Sequence, residues 1–417
     1  MIRGKLDRFA TNFSLQVDEN KISLFSQPQA QNIVVFSHLR WEFVKQRPQH
    51  LLERLAKNGR ILFFEEPIHF SEKDRGTAHV FEPSKNVTII QPRIGGDSLI
   101  EELTPIVKNI LNEYGIEKPL LWFYSAAFSD IIQNLSYSAI VYDCMDELTA
   151  FKNAPSQLIL QEKHLLKHAD IVFTGGKSLY ESKKEHHDNV YCFPSSVDKK
   201  HFDKSLLKAT PIPADLKEIP HPRVGFYGVI DERIDLELLN STADACKGIS
   251  FIMIGPVVKI NPEDLPVRPN IHYLGSKKYS ELPNYLKGFD IAWMPFALNE
   301  ATKFISPTKT LEFMAAQKPI ISTPIYDVVR DYNNVVKIVQ TPTEIKKAIQ
   351  YYIKETAVQK AQRIKMMKAI CKKTSWDVTA NSMKNIMQES IQQKIALSQI
   401  KNEIKNLAYP SVPSMAS

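Results

Sequence analysis

Lys309 and Glu312 stand three residues apart in Ile305-Ser306-Pro307-Thr308-Lys309-Thr310-Leu311-Glu312-Phe313-Met314-Ala315-Ala316. The segment has the local code of a helix start, with Ser306 as cap and Pro307 in the first turn. Free amides, including that of Thr308, then point out of the helix end, where the macrodipole favours an anion. A lysine in a first turn is locally unfavourable. It makes sense if a diphosphate normally sits there and turns an electrostatic cost into a charge-assisted contact. The same spacing also allows a plain i,i+3 ion pair worth a few tenths of a kcal/mol. A second cation, Arg233, follows the run Arg223 to Tyr227 and the turn Gly228-Val229-Ile230-Asp231-Glu232, and is read as the other phosphate ligand. The competing reading pairs it with Asp231, Glu232 or Asp235 on its own helix.

Two further stretches carry chemistry-bearing residues. Phe36-Ser37-His38-Leu39-Arg40-Trp41-Glu42-Phe43 and Gln46-Arg47-Pro48-Gln49-His50 offer His38 as a base, Arg40 and Arg47 as anion ligands, and Trp41 as a flat stacking face. A satisfied structural histidine is the alternative for His38. Tyr142-Asp143-Cys144-Met145-Asp146-Glu147 puts three acids in five residues, of which helix capping explains one or two.

The elements that must position these residues are legible. Short apolar runs, rich in β-branched and aromatic residues, alternate with helical patterns. One series runs from Asn32–Ser37 to Val190–Phe193 and another from Arg223–Tyr227 to Val335–Val339. Continuous runs of this kind suit parallel strands buried on both faces. The expected architecture is α/β, two Rossmann-like doubly wound domains facing a central cleft, with ligands at the carboxyl ends of the strands. Pro211, Pro213, Pro220 and Pro222 mark a boundary without helical or strand period. The expected division is an N-terminal extension 1–30, a first domain 31–208, a linker 209–222, a second domain 223–373, a C-terminal helix 374–408 packing back on the first domain, and a tail 409–417. Ser375 is the expected cap of that last helix.

Composition narrows the class. With 417 residues, 43% hydrophobic and 24% charged, the chain is long enough for two cores and shows no sign of wholesale disorder. Cys144, Cys192, Cys246 and Cys371 are scattered, without C-x-x-C pairing, so neither a disulfide framework nor a zinc ribbon is expected. No apolar run reaches the ~18 residues of a membrane span, and no signal-peptide pattern opens the sequence. The expected location is cytoplasmic. A net charge of +7 favours anionic partners without choosing among them. The lysine-rich stretch Glu344 to Lys373, with Ile345, Ile349, Ile353 and Ile364, fits either a solvated helix on its own domain or peripheral contact with anionic lipid at the inner face of the plasma membrane. Gly175-Gly176-Lys177-Ser178 lacks full phosphate-loop spacing, and no G-x-G-x-x-G follows either first strand, which sets aside an NTPase and a dehydrogenase.

Ser306-Pro307-Thr308-Lys309-Thr310-Leu311-Glu312-Phe313-Met314-Ala315-Ala316, followed by Lys318-Pro319-Ile320-Ile321-Ser322-Thr323, resembles the donor-binding signature of family 4 (group 1) retaining glycosyltransferases of the GT-B fold. The resemblance covers most of Ile33 to Lys373. It implies a nucleoside diphosphate sugar as donor, with Lys309 and Arg233 on the diphosphate and Glu312 on the ribose hydroxyls. On that resemblance Gly228 would permit close approach, Ser306 and Thr308 would line the phosphate site, and Gly255 would border the base, although a glycine after a strand is also ordinary turn punctuation. Asn299 and Thr302 are placed near the donor sugar by proximity to the signature. The family's first motif glutamate is replaced by Phe304, with Glu300 out of register, and its helix-end glycine by Gln317. On the acceptor side the candidates are His38, Arg40, Trp41, Arg47, Asp143, Asp146 and Glu147, with His38 and Asp146 also catalytic candidates beside Arg233 and Lys309. The hexapeptide Tyr142–Glu147 and the first loop resemble a bacterial subgroup of cell-surface polysaccharide assembly, including teichuronic acid biosynthesis proteins. Transfer to a glycan or lipid-linked acceptor is expected, without a metal, another cofactor or nucleic acid. A nucleotide-sugar epimerase and a catalytically silent sugar-nucleotide or glycan scaffold are the alternatives.

Overall fold

The computed structural model describes residues 31–69, 76–96 and 98–408; the expected extension 1–30 and tail 409–417 lie outside them. The first sheet is built from β1 (Ile33–Ser37), β2 (Ile61–Glu65), β3 (Ile68–His69), β4 (Thr77–Ser84), β5 (Val87–Ile94), β6 (Leu120–Phe123), β7 (Ala139–Cys144), β8 (Ile171–Thr174) and β9 (Val190–Cys192). Their order is β3-β5-β2-β1-β6-β7-β8-β9, with β4 antiparallel on β5. The second sheet contains β10 (Arg223–Tyr227), β11 (Ser250–Ile254), β12 (Ile271–Tyr273), β13 (Ile291–Met294), β14 (Ile320–Ser322) and β15 (Val336–Ile338), all parallel, in the order β12-β11-β10-β13-β14-β15. Both sheets reverse direction beside their first strand, β1 against β6 and β10 against β13. That reversal opens a crevice at the strand ends. The apolar runs are the reason: every residue of β1, β2, β6, β10, β11 and β13 is buried, as double-sided helix cover demands.

Seven helices matter to the site: α1 (Arg47–Leu55), α2 (Lys177–Lys183), α3 (Thr308–Ala315), α4 (Tyr326–Tyr332), α5 (Pro342–Ile353), α6 (Ala357–Lys372) and α7 (Trp376–Ala408). The proline-rich boundary is not wholly irregular. It contains the short helix Ala214–Lys217, anchored by buried Leu216 and by Lys277 on Asp215 at 2.7 Å. The chain then returns. From its start α7 lies on the first domain, with Trp376, Ala380, Met383 and Met387 buried in the same cluster as Leu51, Leu52 and Ile33. Arg54 with Asp377, and Lys394 with Asp170, fasten its edges.

Of the two readings of the basic stretch over α5 and α6, its apolar packing favours the helix that rests on its own domain. Ile345 and Ile349 are buried in the second domain's core, as are Met367 and Cys371. Part of the apolar spacing there is spent on packing, while Ile353 and the lysines are left to solvent.

A second set of contacts joins the domains directly. Gly175-Gly176 leads into α2, and the buried carboxylate of Asp327 on α4 accepts the Lys177 amide at 3.1 Å and the Ser178 hydroxyl. Lys177 with Asp331, and Arg330 with Glu181 at 2.9 Å, flank this contact. Gly176 makes room, since a Cβ there would stand 2.6 Å from Asp327 Oδ2. The phosphate-loop look of this stretch thus serves a carboxylate of the same chain. We expect Asp327→Ala to lower stability by about 2 kcal/mol, because it strips a buried acceptor from three donors, the Lys177 amide, the Ser178 hydroxyl and Arg330 Nη2 at 2.7 Å, and urea unfolding checks it; an unchanged midpoint would sink this account.

Candidate active site in the cleft between the domains

The signature helix starts one residue later than the sequence reading. Thr308 is the first residue of α3, Pro307 occupies the cap position, and no side chain caps it. Ser306 is instead tied across the cleft, its carbonyl accepting from Ser195 Oγ at 3.0 Å, while Ser195 and Thr308 share a hydroxyl contact of 2.9 Å. The α3 amides therefore lack a side-chain acceptor and face the cleft.

Lys309 projects from this end into a partly buried position, its Nζ 5.7 Å from the Phe226 ring. Burial lowers its pKa, Glu312 pulls it back up and Arg233 pushes it down again. Among the described residues no salt bridge closer than 4 Å holds it. The exposed i,i+3 pair is therefore not what forms. Glu312 is 8% exposed and accepts a hydrogen bond from Tyr227 Oη at 2.6 Å. Burial raises its pKa, against that hydrogen bond and Lys309.

Two glycines let these groups approach. Gly228, at φ +144°, would place a Cβ 2.1 Å from Lys309 Cε, and Gly255, at φ +145°, would place one 1.8 Å from the Gly228 carbonyl oxygen. A side chain at Gly255 would strike backbone and one at Gly228 would displace the Lys309 amine, and L residues rarely adopt either φ.

Arg233 is held by Asp231, as the competing sequence reading allowed: Nε lies 3.0 and 3.1 Å from the two carboxylate oxygens and Nη2 lies 2.7 Å from Oδ2. Burial works to lower the guanidinium, and Asp231 more than compensates. Arg233 nevertheless lines the same cavity as Lys309, Glu312, Gly228 and Asp146. Asp146 faces them from the first domain, its pKa raised by burial and opposed by Arg233. Two cations, two carboxylates and an uncapped helix end thus meet at the strand ends of both sheets. The enclosed space is about 160 Å3, less than the ~300–1,000 Å3 usual for a ligand pocket.

Several expected site residues are engaged elsewhere. Trp41 is 7% exposed and packs edge-on against Phe63 at 5.1 Å, so it offers no stacking face. Buried Glu65 at the end of β2 explains its place, taking the Trp41 amide at 2.7 Å and Arg40 at 3.1 Å. Arg47 is buried in a forked pair with buried Asp143 and also donates to the Phe193 carbonyl at 2.7 Å. The pair ties α1 to β7, and Arg47, although paired, lines the same cavity as Lys309 and Glu312. Glu147 turns inward to Lys183 at 2.7 Å. Asn299 and Thr302 line a separate cavity with Phe304 and Tyr326; Asn299 Nδ2 holds the Glu232 carbonyl at 2.9 Å, steadying the Arg233 loop. His38 is driven down to about 4 by burial and then by Lys259, so it is neutral at pH 7.

Phe304, which stands where the motif glutamate would be, packs against the first domain's core. Glu300 is exposed and paired with Lys303 at 4.0 Å, so it does not stand in.

Other cleft residues escaped the sequence reading. Tyr227 ends a buried strand and looked like core. Tyr279 and His50 meet at 5.4 Å from opposite domains, and His50 stacks on Trp376 of α7 at 5.0 Å with planes 4° apart. Only hydrogen-bonding aromatics at strand ends hinted at the first; the others depend on contacts between distant segments.

Comparison with known proteins agrees with this architecture. The family model for glycosyl transferases group 1 matches residues 221–355. TuaH of Bacillus subtilis, named for teichuronic acid biosynthesis as a glycosyltransferase, is 24% identical over 241 residues, 54% of this chain and 59% of that protein's length. Sucrose-phosphate synthase from Thermosynechococcus elongatus superimposes with a TM-score of 0.64 at 14% identity, over 86% of this chain and 98% of its own. HepE of Anabaena, whose structure holds UDP and glucose, gives 0.64 at 12% identity, over 86% and 99%. The chain therefore has the GT-B fold, and residues 221–355 of its second domain match the model for glycosyl transferases group 1.

Proposed function

We propose that this chain is a metal-independent glycosyltransferase that moves a hexosyl group from a nucleoside diphosphate sugar to a hydroxyl of a glycan or lipid-linked acceptor, with retention, in cytoplasmic assembly of cell-surface polysaccharide. The observation that carries it is the meeting of Lys309, Arg233 and the α3 amides around Gly228, with Glu312 beside them. In this reading Lys309 and Arg233 take the diphosphate, where charge develops as the glycosidic bond breaks. Glu312 takes the ribose. The acceptor oxygen bonds to the anomeric carbon as the bond to the phosphate oxygen breaks, and the hydroxyl proton passes to the departing phosphate. Asp146 orients the acceptor from the first domain. TuaH supplies the polysaccharide context. No helix among the described residues is long and apolar enough to cross a membrane.

One observation favours a second reading. Phe304 takes the place of a motif carboxylate and is committed to packing, which suits a silent sugar-nucleotide scaffold. A thermal-shift screen against UDP-, GDP-, ADP- and dTDP-sugars, with and without EDTA, separates them when followed by assay of nucleotide release. Stabilisation by one donor class that survives EDTA, with acceptor-dependent release, is the expected result. Stabilisation without release in any acceptor pool would favour the scaffold, and acceptor-independent turnover an epimerase.

A further inference from the structure

Phe151 is an aromatic residue without an apolar home. It follows the turn Leu148–Ala150 of the first domain and, among the described residues, joins none of the three apolar clusters. Its ring instead meets two cations of the second domain. Arg233 Cζ lies 5.6 Å from the ring centroid and Lys259 Nζ lies 5.2 Å from it. Lys259 is held in the left-handed region at φ 62°, a conformation that lysine adopts only where its surroundings fix it. Beside the ring, the Lys152 amide donates to Glu232 Oε1 at 3.2 Å, so the two loops touch at adjacent residues.

Two like charges gather at one ring because its π face is negative, a contact worth about 0.5–2 kcal/mol per cation as water is excluded. Arg233 is thus gripped from two sides. Asp231 of its own domain fixes one edge of the guanidinium, and Phe151 of the opposite domain faces it. The first grip is present in any arrangement of the domains; the second exists only when they are together.

We infer that Phe151 is a positioning residue that sets Arg233, with Lys259 beside it, only in the closed cleft, so that neutralisation of the leaving diphosphate is completed by closure of the acceptor-side domain. This rests on the donor-site reading above. It explains why an arginine already satisfied by Asp231 is still placed at the cleft wall. A diphosphate arriving between Arg233 and Lys309 relieves the repulsion among the three cations, and the ring keeps the guanidinium from swinging away as the bond breaks.

The series Phe151→Leu, Phe151→Tyr and Phe151→Trp tests it, because leucine keeps apolar bulk without the π face. In ligand-free protein labelled with nitrogen-15 arginine, the Arg233 Nε–H resonance should be shifted by the ring, the shift lost in Phe151→Leu and kept in the aromatic variants. A resonance left unshifted both in the free protein and with saturating UDP, GDP or ADP would overturn the proposal. In turnover with the stabilising donor, Phe151→Leu should lose about five- to thirty-fold in kcat, with little change in donor KM, because the contact matters after binding. Phe151→Tyr and Phe151→Trp should stay within about threefold of the unsubstituted enzyme. A Phe151→Leu variant as fast as the original, or aromatic variants as slow as leucine, would refute it. Lys309→Ala binding UDP, GDP and ADP as well as the unsubstituted protein would instead remove the donor-site reading, and the resonance arm would still decide whether Phe151 holds Arg233.

Discussion

Lys309→Ala should weaken binding of the preferred nucleoside diphosphate by about thirty-fold or more, at least about 2 kcal/mol, while leaving the melting temperature unchanged or slightly raised. The loss follows from removing a charge-assisted contact to phosphate. The stability half is the more telling. In the free protein Lys309 is a partly buried cation without a salt bridge, its pKa lowered first by burial. Such a group costs the folded state something until an anion arrives. A structural lysine would show the reverse, with stability lost and affinity kept. The same displacement gives a pH signature. Phosphate binding favours the charged amine, so affinity should fall as pH rises through a value below the ordinary lysine range, and Lys309→Arg should flatten that fall. Calorimetric titration across the alkaline range measures it; no difference between Lys309 and the arginine variant would defeat the argument.

Glu312→Ala should abolish discrimination between a ribonucleoside diphosphate and its 2′,3′-dideoxy counterpart, a preference of roughly ten- to a hundred-fold in the unsubstituted protein if two hydroxyls donate to this carboxylate. Tyr227 already donates to Oε2. That bond orients the carboxylate and leaves Oε1 for ligand, so Tyr227→Phe should reduce the preference in part. Stability moves as well, because alanine at 312 orphans a buried tyrosine hydroxyl at about 1–3 kcal/mol. Glu312→Gln keeps an acceptor for Tyr227 and should recover most of the stability while recovering little of the preference. Equal affinity of the unsubstituted protein for both nucleotides would remove Glu312 from the ribose.

The sheets were readable because a strand buried on both faces announces itself locally: Ile-Val-Val-Phe at the start of β1 and Ile-Ala-Trp-Met in β13 allow little else. The hairpin strand β4 was not, since Thr-Ala-His-Val-Phe-Glu-Pro-Ser lies at an edge, carries a proline and is mostly exposed. At the site, Lys309 and Glu312 were legible because the code of a helix start spans a few neighbouring residues. What holds Trp41, Arg47 and Asp143 in place was hidden for the opposite reason. Their partners are Phe63, Glu65 and residues nearly a hundred positions away, and no window along the chain joins Arg47 to Asp143. Phe151 belongs with them. A phenylalanine reads as core until the two cations facing it are placed by a different domain.

The helix α7 carries a consequence for how the chain is made. The first domain's last strand ends at Cys192, yet the face around Leu51, Leu52 and Ile33 is covered by Trp376, Ala380, Met383 and Met387. At about 5–20 residues per second on the ribosome, roughly ten to forty seconds separate the synthesis of that last strand from that of Trp376. During that interval the first-born half of the molecule is a guest for chaperones and a target for proteases, and a transcript cut short before Trp376 would yield a protein with an open flank.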